Sequence, residues 1–294
     1  MDGLLIVDKP EGMTSADVVR VVKGRLRCKT GHLGTLDPFA SGVLPLCLGE
    51  GTKIAQFLNA AEKEYTGTIR LGSQTDTGDP TGTVTATAPV PQPDPAALGR
   101  SAEQFHGELL QVPPMYSAIK QHGTPLYKLA RRGIAVEREA RRVRIEALQL
   151  TSAEAGTIMF SVTCSKGTYI RVLAEEIAAS LGSVGHLGTL RRTRFGRFRV
   201  EDAVSLEAVE RGPVPLIGLR DALDGLREVS ISAAAAQRAR QGYEPMLGSI
   251  ALGAENEAVK LVGPAGELAA VIIMEGPTGW RFARVFADHG RALS

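Results

Sequence analysis

A chain of 294 residues, 44% of them hydrophobic, exceeds a single typical domain of roughly 100–200 residues and can build two cores. No apolar run approaches the ~18 residues of a membrane span, and the opening segment Met1–Pro10 lacks the basic flank of an export signal. The three cysteines, Cys28, Cys47 and Cys164, form no ligand pattern, which excludes a zinc module and a disulfide scaffold and points to reduced thiols in a cytoplasmic protein.

In chain order, Leu4 to Val7 predicts a short strand broken at Lys9-Pro10-Glu11-Gly12. Ser15 then caps a helix that turns Val18, Val19, Val22 and Leu26 inward. Thr30 to Pro45 predicts a glycine- and proline-punctuated loop, with a second helix starting near Thr52. Glu64 to Leu71 alternates Tyr65, Gly67, Ile69 and Leu71 on one side, the period of a strand. A polar turn follows from Gly72 to Gly82, then a strand from Thr83 to Thr87, and the four prolines of Ala88 to Pro95 predict a loop. Thr124-Pro125 starts a short helix ending at Gly133. Arg142 to Leu150 and Thr157 to Cys164 are neighbouring strands, and Thr168 to Leu181 is an amphipathic helix closed by Gly182. Beyond Val200 the chain becomes acidic and helical, and Gly212-Pro213-Val214-Pro215 marks a boundary. A small unit follows from Val229, with a helix capped by Ser232, two strands flanking Gly263-Pro264-Ala265-Gly266, and a last strand from Arg281 to Ala287. Strands and helices mix without a regular βαβ repeat, so the expected class is α+β, with a mixed, largely antiparallel sheet and flanking helices and loops.

Charge is unevenly spread. The stretches Arg20 to Thr30 and His186 to Arg199 carry five cations each and no acid, and Lys120 to Arg144 carries eight against Glu137 and Glu139. One such run is an ordinary solvated face; three in the first two thirds of the chain suggest a polyanion-binding surface, nucleic acid first among candidates.

The chemistry concentrates in Gly31-His32-Leu33-Gly34-Thr35-Leu36-Asp37-Pro38-Phe39-Ala40-Ser41-Gly42, one carboxylate among glycines that admit a close ligand. Taken alone, Asp-Pro in a loop is a turn residue bonding its own backbone. Together with Asp8-Lys9-Pro10-Glu11-Gly12-Met13-Thr14-Ser15, however, the loop resembles the TruB family of tRNA pseudouridine synthases. The resemblance continues, in family order, through Glu64-Tyr65-Thr66-Gly67 and Val112-Pro113-Pro114-Met115-Tyr116-Ser117-Ala118. It extends to Leu126-Tyr127 to Arg142, Lys166-Gly167-Thr168-Tyr169-Ile170-Arg171 and His186-Leu187-Gly188-Thr189-Leu190-Arg191-Arg192.

The resemblance implies an enzyme that detaches uracil from ribose, turns it and rejoins it through carbon 5, most specifically at uridine 55 in the T-arm of tRNA. Asp37 is the implied catalytic carboxylate, Arg171 its partner, expected to lower its pKa, and Tyr65 the stacking tyrosine and candidate base. Tyr169 and Leu190 line the pocket, His32 helps hold the RNA open around a flipped base, and Arg131 and Arg132 grip RNA from a thumb-like segment at about 112–142. Whether Asp37 attacks sugar, attacks base or takes a proton is left open. The reaction is redox-neutral and requires no cofactor or metal, in keeping with the lack of GxGxxG, P-loop and metal-spaced motifs. The implied organisation is a pseudouridine synthase catalytic domain at 1–211, a linker at 212–228 and a small, mainly-β unit at 229–294 that resembles the PUA-type RNA-binding module. That unit reads either as an RNA contact or as structural support. The expected partner is tRNA, with no membrane and no required protein partner, and a monomer is expected. The alternative is a non-catalytic RNA-binding or tRNA-folding protein using the same cleft.

Overall fold

The strand Ser41–Leu48 shows what organises the molecule, because every one of its eight residues is buried. Val43 and Cys47 point into one apolar cluster, whereas Leu44, Leu46 and Leu48 point into another. The neighbouring strand Gly3–Lys9 divides the same way, Leu4 and Ile6 to the first and Leu5 and Val7 to the second. Side chains alternate along a strand, so a strand apolar at both parities must be covered on both faces. The structure, a computed structural model, describes residues 1–59, 61–121, 123–153, 156–276 and 279–287.

These two strands belong to a ten-stranded sheet. Its order runs Val204–Ser205, Gly3–Lys9, Ser41–Leu48, Gly185–Phe195, Lys63–Leu71, Thr157–Cys164, Arg141–Ser152, Gly107–Gln111. Thr30–His32 and Phe198–Arg199 attach beside this path. Two contacts are parallel, Gly3–Lys9 with Val204–Ser205 and Ser41–Leu48 with Gly185–Phe195, and the rest are antiparallel. The fold is thus α+β with a mixed, largely antiparallel sheet, as the sequence predicts. The helix Ile170–Ser180 lies on one face with Leu173, Ala174 and Ile177 in the cluster that holds Tyr65, Ile69, Phe160 and Leu190. The helix Ser15–Leu26 covers the other end through Val18 and Val22.

Several elements differ from expectation. The helix at Ser15 is capped one residue earlier by Thr14, whose hydroxyl accepts from Asp17 N while the Asp17 carboxylate accepts from Thr14 N. That reciprocal pair is a capping box, and it frees Ser15 for another task. Thr30 to Pro45 is no continuous loop but contains Thr30–His32 and the start of Ser41–Leu48. The helix near Thr52 is a 3-10 turn, Gly49–Lys53, followed by Ala55–Leu58. Pro95–Gln104 is a helix capped by Asp94, and Gly107–Gln111 is a strand.

A second sheet contains Arg227–Ser230, Ala258–Val262, Leu268–Met274 and Trp280–Val285, with its first pair parallel. It carries its own core of Ala236, Ala239, Leu261, Ala269 and Ile272 under the helix Ala233–Arg240. Its other apolar face is not solvated. Val262, Leu268, Val271, Ala283 and Phe286 share one buried cluster with Leu4, Ile6, Val43, Ile54 and Phe195 of the large sheet. Lys53 Nζ donates to Val285 O at 3.0 Å, and Ala287 N donates to Glu50 at 3.2 Å along the same seam. Between the two sheets, Ile217 and Leu4 exchange backbone hydrogen bonds at 2.9 Å in both directions. The last seven residues of the small unit expected at 229–294 lie outside the described residues.

Candidate active site

Asp37 sits in a loop pinned at successive residues. Arg192 Nη2 donates to Gly34 O at 2.8 Å. Ser15 Oγ donates to Leu36 O at 3.1 Å and accepts from Leu36 N at 2.9 Å. Gly12 N reaches Pro38 O at 2.8 Å, and Ala40 N closes the turn onto Asp37 O at 3.1 Å. Lys9, fully buried, spreads its ammonium over three carbonyls, those of Met13 at 2.7 Å, Pro10 at 2.8 Å and Pro38 at 3.3 Å. Burial pulls the Lys9 pKa down to about 8, against the attraction of nearby Asp37. The segment around Lys9-Pro10 and the Asp37 loop are therefore one structure, tied by backbone-directed bonds.

The carboxylate of Asp37 meets Arg171 Nε at 2.9 Å. Arg171, 5% exposed, comes from the first turn of the helix Ile170–Ser180. It also donates to Tyr116 O at 2.7 Å and Thr77 O at 2.8 Å, and its Nη1 lies 3.9 Å from Asp79. This guanidinium joins the Asp37 loop, the Gly72–Gly82 turn and the root of the 112–142 segment. Asp79 is buried and satisfied by Thr77 Oγ1 at 2.8 Å and by Thr81 N at 2.9 Å. It is a member of the site that sequence reasoning missed, since a turn rich in Thr, Asp and Gly needs no second carboxylate to explain it. Lys9 was missed in the same way.

The expected depression of the Asp37 pKa by Arg171 is outweighed. Enclosure by the protein pushes the carboxyl above its ordinary value, Arg171 pulls it back, and Asp79 adds to the rise. A third of the side-chain surface nevertheless stays open, so the group is enclosed by protein yet reachable. A carboxylate that is ion-paired, poorly hydrated and accessible is suited to attack or proton removal.

Tyr65 and Leu190, 7% and 5% exposed, share the cluster of Leu36 and Ala40 at the two ends of the Asp37 turn. Burial pushes the Tyr65 hydroxyl up, while the charge of nearby Arg192 pulls the other way. Tyr169 immediately precedes the helix carrying Arg171, and Gln111 fixes its backbone through bonds of 2.7 and 3.2 Å. Its hydroxyl is also raised by burial. His32 lies on the short strand paired with Leu46, half-buried, with Nδ1 lacking a partner; burial first, then Arg192, lowers its pKa. Arg131 and Arg132 are exposed on the turn after the helix Leu126–Ala130, apart from the Asp37 cluster, with Arg131 over the Tyr127 ring at 5.5 Å.

The basic run His186 to Arg199 is divided: Arg192 is buried, Arg194 pairs with Glu64, Arg191 makes a two-pronged pair with Asp8 and Arg197 pairs with Asp224 at the surface, and Arg199 is exposed. A cavity of about 490 Å³ between the helix Pro95–Gln104 and the strand Arg141–Ser152 contains none of the residues singled out from sequence. Among the described residues, no group of three His, Cys, Asp or Glu side chains could hold a metal ion.

The site thus combines a mixed sheet, a partly open aspartate ion-paired to a buried arginine, and a tyrosine and a leucine in the apolar cluster that flanks the aspartate's turn. The model of the TruB family pseudouridylate synthase N-terminal domain matches residues 20–170. The tRNA pseudouridine synthase B of Psychrobacter cryohalolentis is 45% identical over 253 residues, covering 82% of this chain and 70% of that protein. The protein of the same name from Geobacter sulfurreducens is 43% identical and covers 83% of each. Among solved structures, a chain of a Cbf5-Nop10-Gar1 complex superposes with a TM-score of 0.69 at 26% identity, covering 97% of this chain and 84% of that one. The chain belongs to the TruB family of pseudouridylate synthases.

Proposed function

We infer that this protein isomerises uridine to pseudouridine in tRNA, acting at uridine 55 of the T-arm, with Asp37 as the catalytic carboxylate. The observation that carries the reading is the Asp37–Arg171 ion pair at 2.9 Å, on a turn whose flanking Leu36 and Ala40 share an apolar cluster with Tyr65 and Leu190. The names of the relatives, tRNA pseudouridine synthase B, support the substrate. A uridine stacked in folded RNA cannot reach a recessed carboxylate, so the nucleotide must be turned out, at a cost of a few kcal/mol. Tyr65 offers a face for the flipped base, Leu190 an apolar edge, Tyr169 a further wall, and His32 supports the opened RNA. Phosphate contacts from the exposed Arg131 and Arg132 offset the cost of flipping. Asp37 then adds to sugar or base, or removes a proton, while Arg171 keeps it ionised against the enclosure that favours its neutral form.

The chain works as a monomer without a required protein partner, in the cytoplasm, and the small C-terminal unit at 229–294 acts as a PUA-like module behind the catalytic domain at 1–211 and linker at 212–228. No described helix is long and apolar enough to cross a membrane. The test is incubation of the purified protein with an unmodified tRNA transcript, without added metal or cofactor, followed by mapping of pseudouridine. Modification confined to position 55 is the expected result, and a transcript left unmodified overturns the reading.

A further inference from the structure

Gln111 ends the strand Gly107–Gln111 and is 3% exposed. Its Oε1 accepts from Tyr169 N at 2.7 Å and its Nε2 donates to Tyr169 O at 3.2 Å. One side chain thus bonds both polar backbone groups of a single residue 58 positions away, as a neighbouring strand would. A buried amide is disfavoured unless its donor and its acceptor both find partners, and here both do. Turning the amide over would set donor against donor and acceptor against acceptor, so only this orientation fits.

Tyr169 is the N-cap of the helix Ile170–Ser180, and its side chain makes no capping hydrogen bond. The polar groups at a helix start need partners from outside the helix, and Gln111 supplies them at residue 169. Arg171 stands two residues further on, in the first turn. It meets Asp37 at 2.9 Å and reaches back to Tyr116 O at 2.7 Å. Two bonds therefore tie the same pieces of chain in opposite directions, the Gln111 amide to residue 169 and the Arg171 guanidinium to residue 116. Gln111 is also the register partner of Arg141, at the end of their ladder. The chain between them leaves the sheet and returns to it at this one point, and it carries Arg131 and Arg132.

We propose that Gln111 is a positioning residue for the isomerisation: by clasping the backbone of Tyr169 it fixes the first turn of the helix and with it the placing of Arg171 against Asp37. The root of the RNA-gripping segment thereby becomes part of the catalytic alignment. This rests on the isomerase reading given above. The charged groups facing Asp37 are Arg171, Asp79 and Lys9, with the hydroxyls of Tyr65 and Tyr169 nearby. Around Arg171 stand Asp37, Asp79, Glu175 and Tyr169. Arg171 and Lys9 favour the ionised carboxylate. Lys9 is held by Pro10, Met13 and Pro38, so of these two cations Arg171 is the one that residue 169 places.

The test uses the full-length protein with Gln111→Met, which removes both bonds at nearly constant volume, and Gln111→Asn, which keeps the amide on a shorter stem. Single-turnover isomerisation of a tRNA transcript, enzyme in excess, is followed across pH beside filter binding of the same transcript. Gln111→Met is expected to slow isomerisation roughly 10²-fold, the size of an ångström-scale misplacement, and Gln111→Asn by less. Binding should match wild type in both. The acid limb of the rate should move up in pH, because a displaced Arg171 no longer opposes the enclosure that raises Asp37. If Gln111→Met does not fold, Gln111→Asn decides alone by the same pH profile. Slower variants whose acid limb stays that of wild type would overturn the proposal and leave Gln111 a support of the fold. Weakened binding with an unchanged rate at saturation would overturn it too, and make Gln111 an anchor of the RNA-gripping segment alone. Variants as fast as an active wild type overturn this inference and leave the functional reading standing, whereas a wild-type protein without isomerase activity overturns both.

Discussion

Two effects compete at Asp37, and their balance is measurable. Enclosure raises its pKa and Arg171 lowers it, with enclosure the larger. Only the ionised carboxylate attacks, so single-turnover rate is expected to fall as pH drops through a value above the ordinary aspartate 3.8. Arg171→Gln removes the opposing pull and should move that acid limb further up. A limb at or below the free-aspartate value in wild type would show that Arg171 dominates after all. The Arg171 contacts also explain why the pairing could not be found from spacing. Asp37 and Arg171 are 134 positions apart, and the guanidinium joins three segments that periodicity treats separately. Their roles were legible only through resemblance to a family. Arg192 was misjudged for a related reason, since composition cannot tell an enclosed arginine from a solvated one.

At the scale of elements, Ser15 shows how a cap moved by one residue alters function. Thr14 and Asp17 cap the helix, which leaves Ser15, 2% exposed, to clamp Leu36 by two hydrogen bonds. Ser15→Ala removes both and leaves a buried carbonyl and N–H without those partners, a cost of about 1–3 kcal/mol for each unsatisfied group. A lowered denaturation midpoint with a slower single turnover is the expected outcome. A destabilised variant with unchanged rate would detach the clamp from catalysis. Strands of clean alternation were legible, as at Lys63–Leu71 and Thr157–Cys164. Ser41–Leu48 was not, because Gly42 and Pro45 both argue against a central strand. Gly107–Gln111 escaped because its alternation puts Leu110 outward, 70% exposed.

For the whole molecule, the small C-terminal unit has its own core yet shares a second one with the catalytic sheet. Phe286, 2% exposed, sits in that shared cluster with Lys53 over its ring at 5.8 Å. Phe286→Ala is expected to cost about 3–5 kcal/mol, the range for a buried aromatic, and to separate one unfolding transition into two as the units uncouple. Calorimetry checks this; a variant that still melts in one step near the wild-type temperature would make the docking incidental. Three of the unit's four strands were visible in the sequence, two by the turn Gly263-Pro264-Ala265-Gly266 and one from Arg281, whereas Arg227–Ser230 was not. The unit's attachment was not visible either, because contacts between residues near 4, 43 and 286 leave no local pattern.

The most direct measurement of the central claim is single-turnover isomerisation by Asp37→Asn, run beside filter binding of the same tRNA. Asparagine keeps the size of the side chain and its turn-forming hydrogen bonds while removing the negative charge and the nucleophile. If Asp37 performs the chemistry, isomerisation falls below detection while tRNA affinity is retained, since phosphate and stacking contacts are untouched. Isomerisation within a few fold of wild type would contradict the account and return Asp37 to the role of a turn residue.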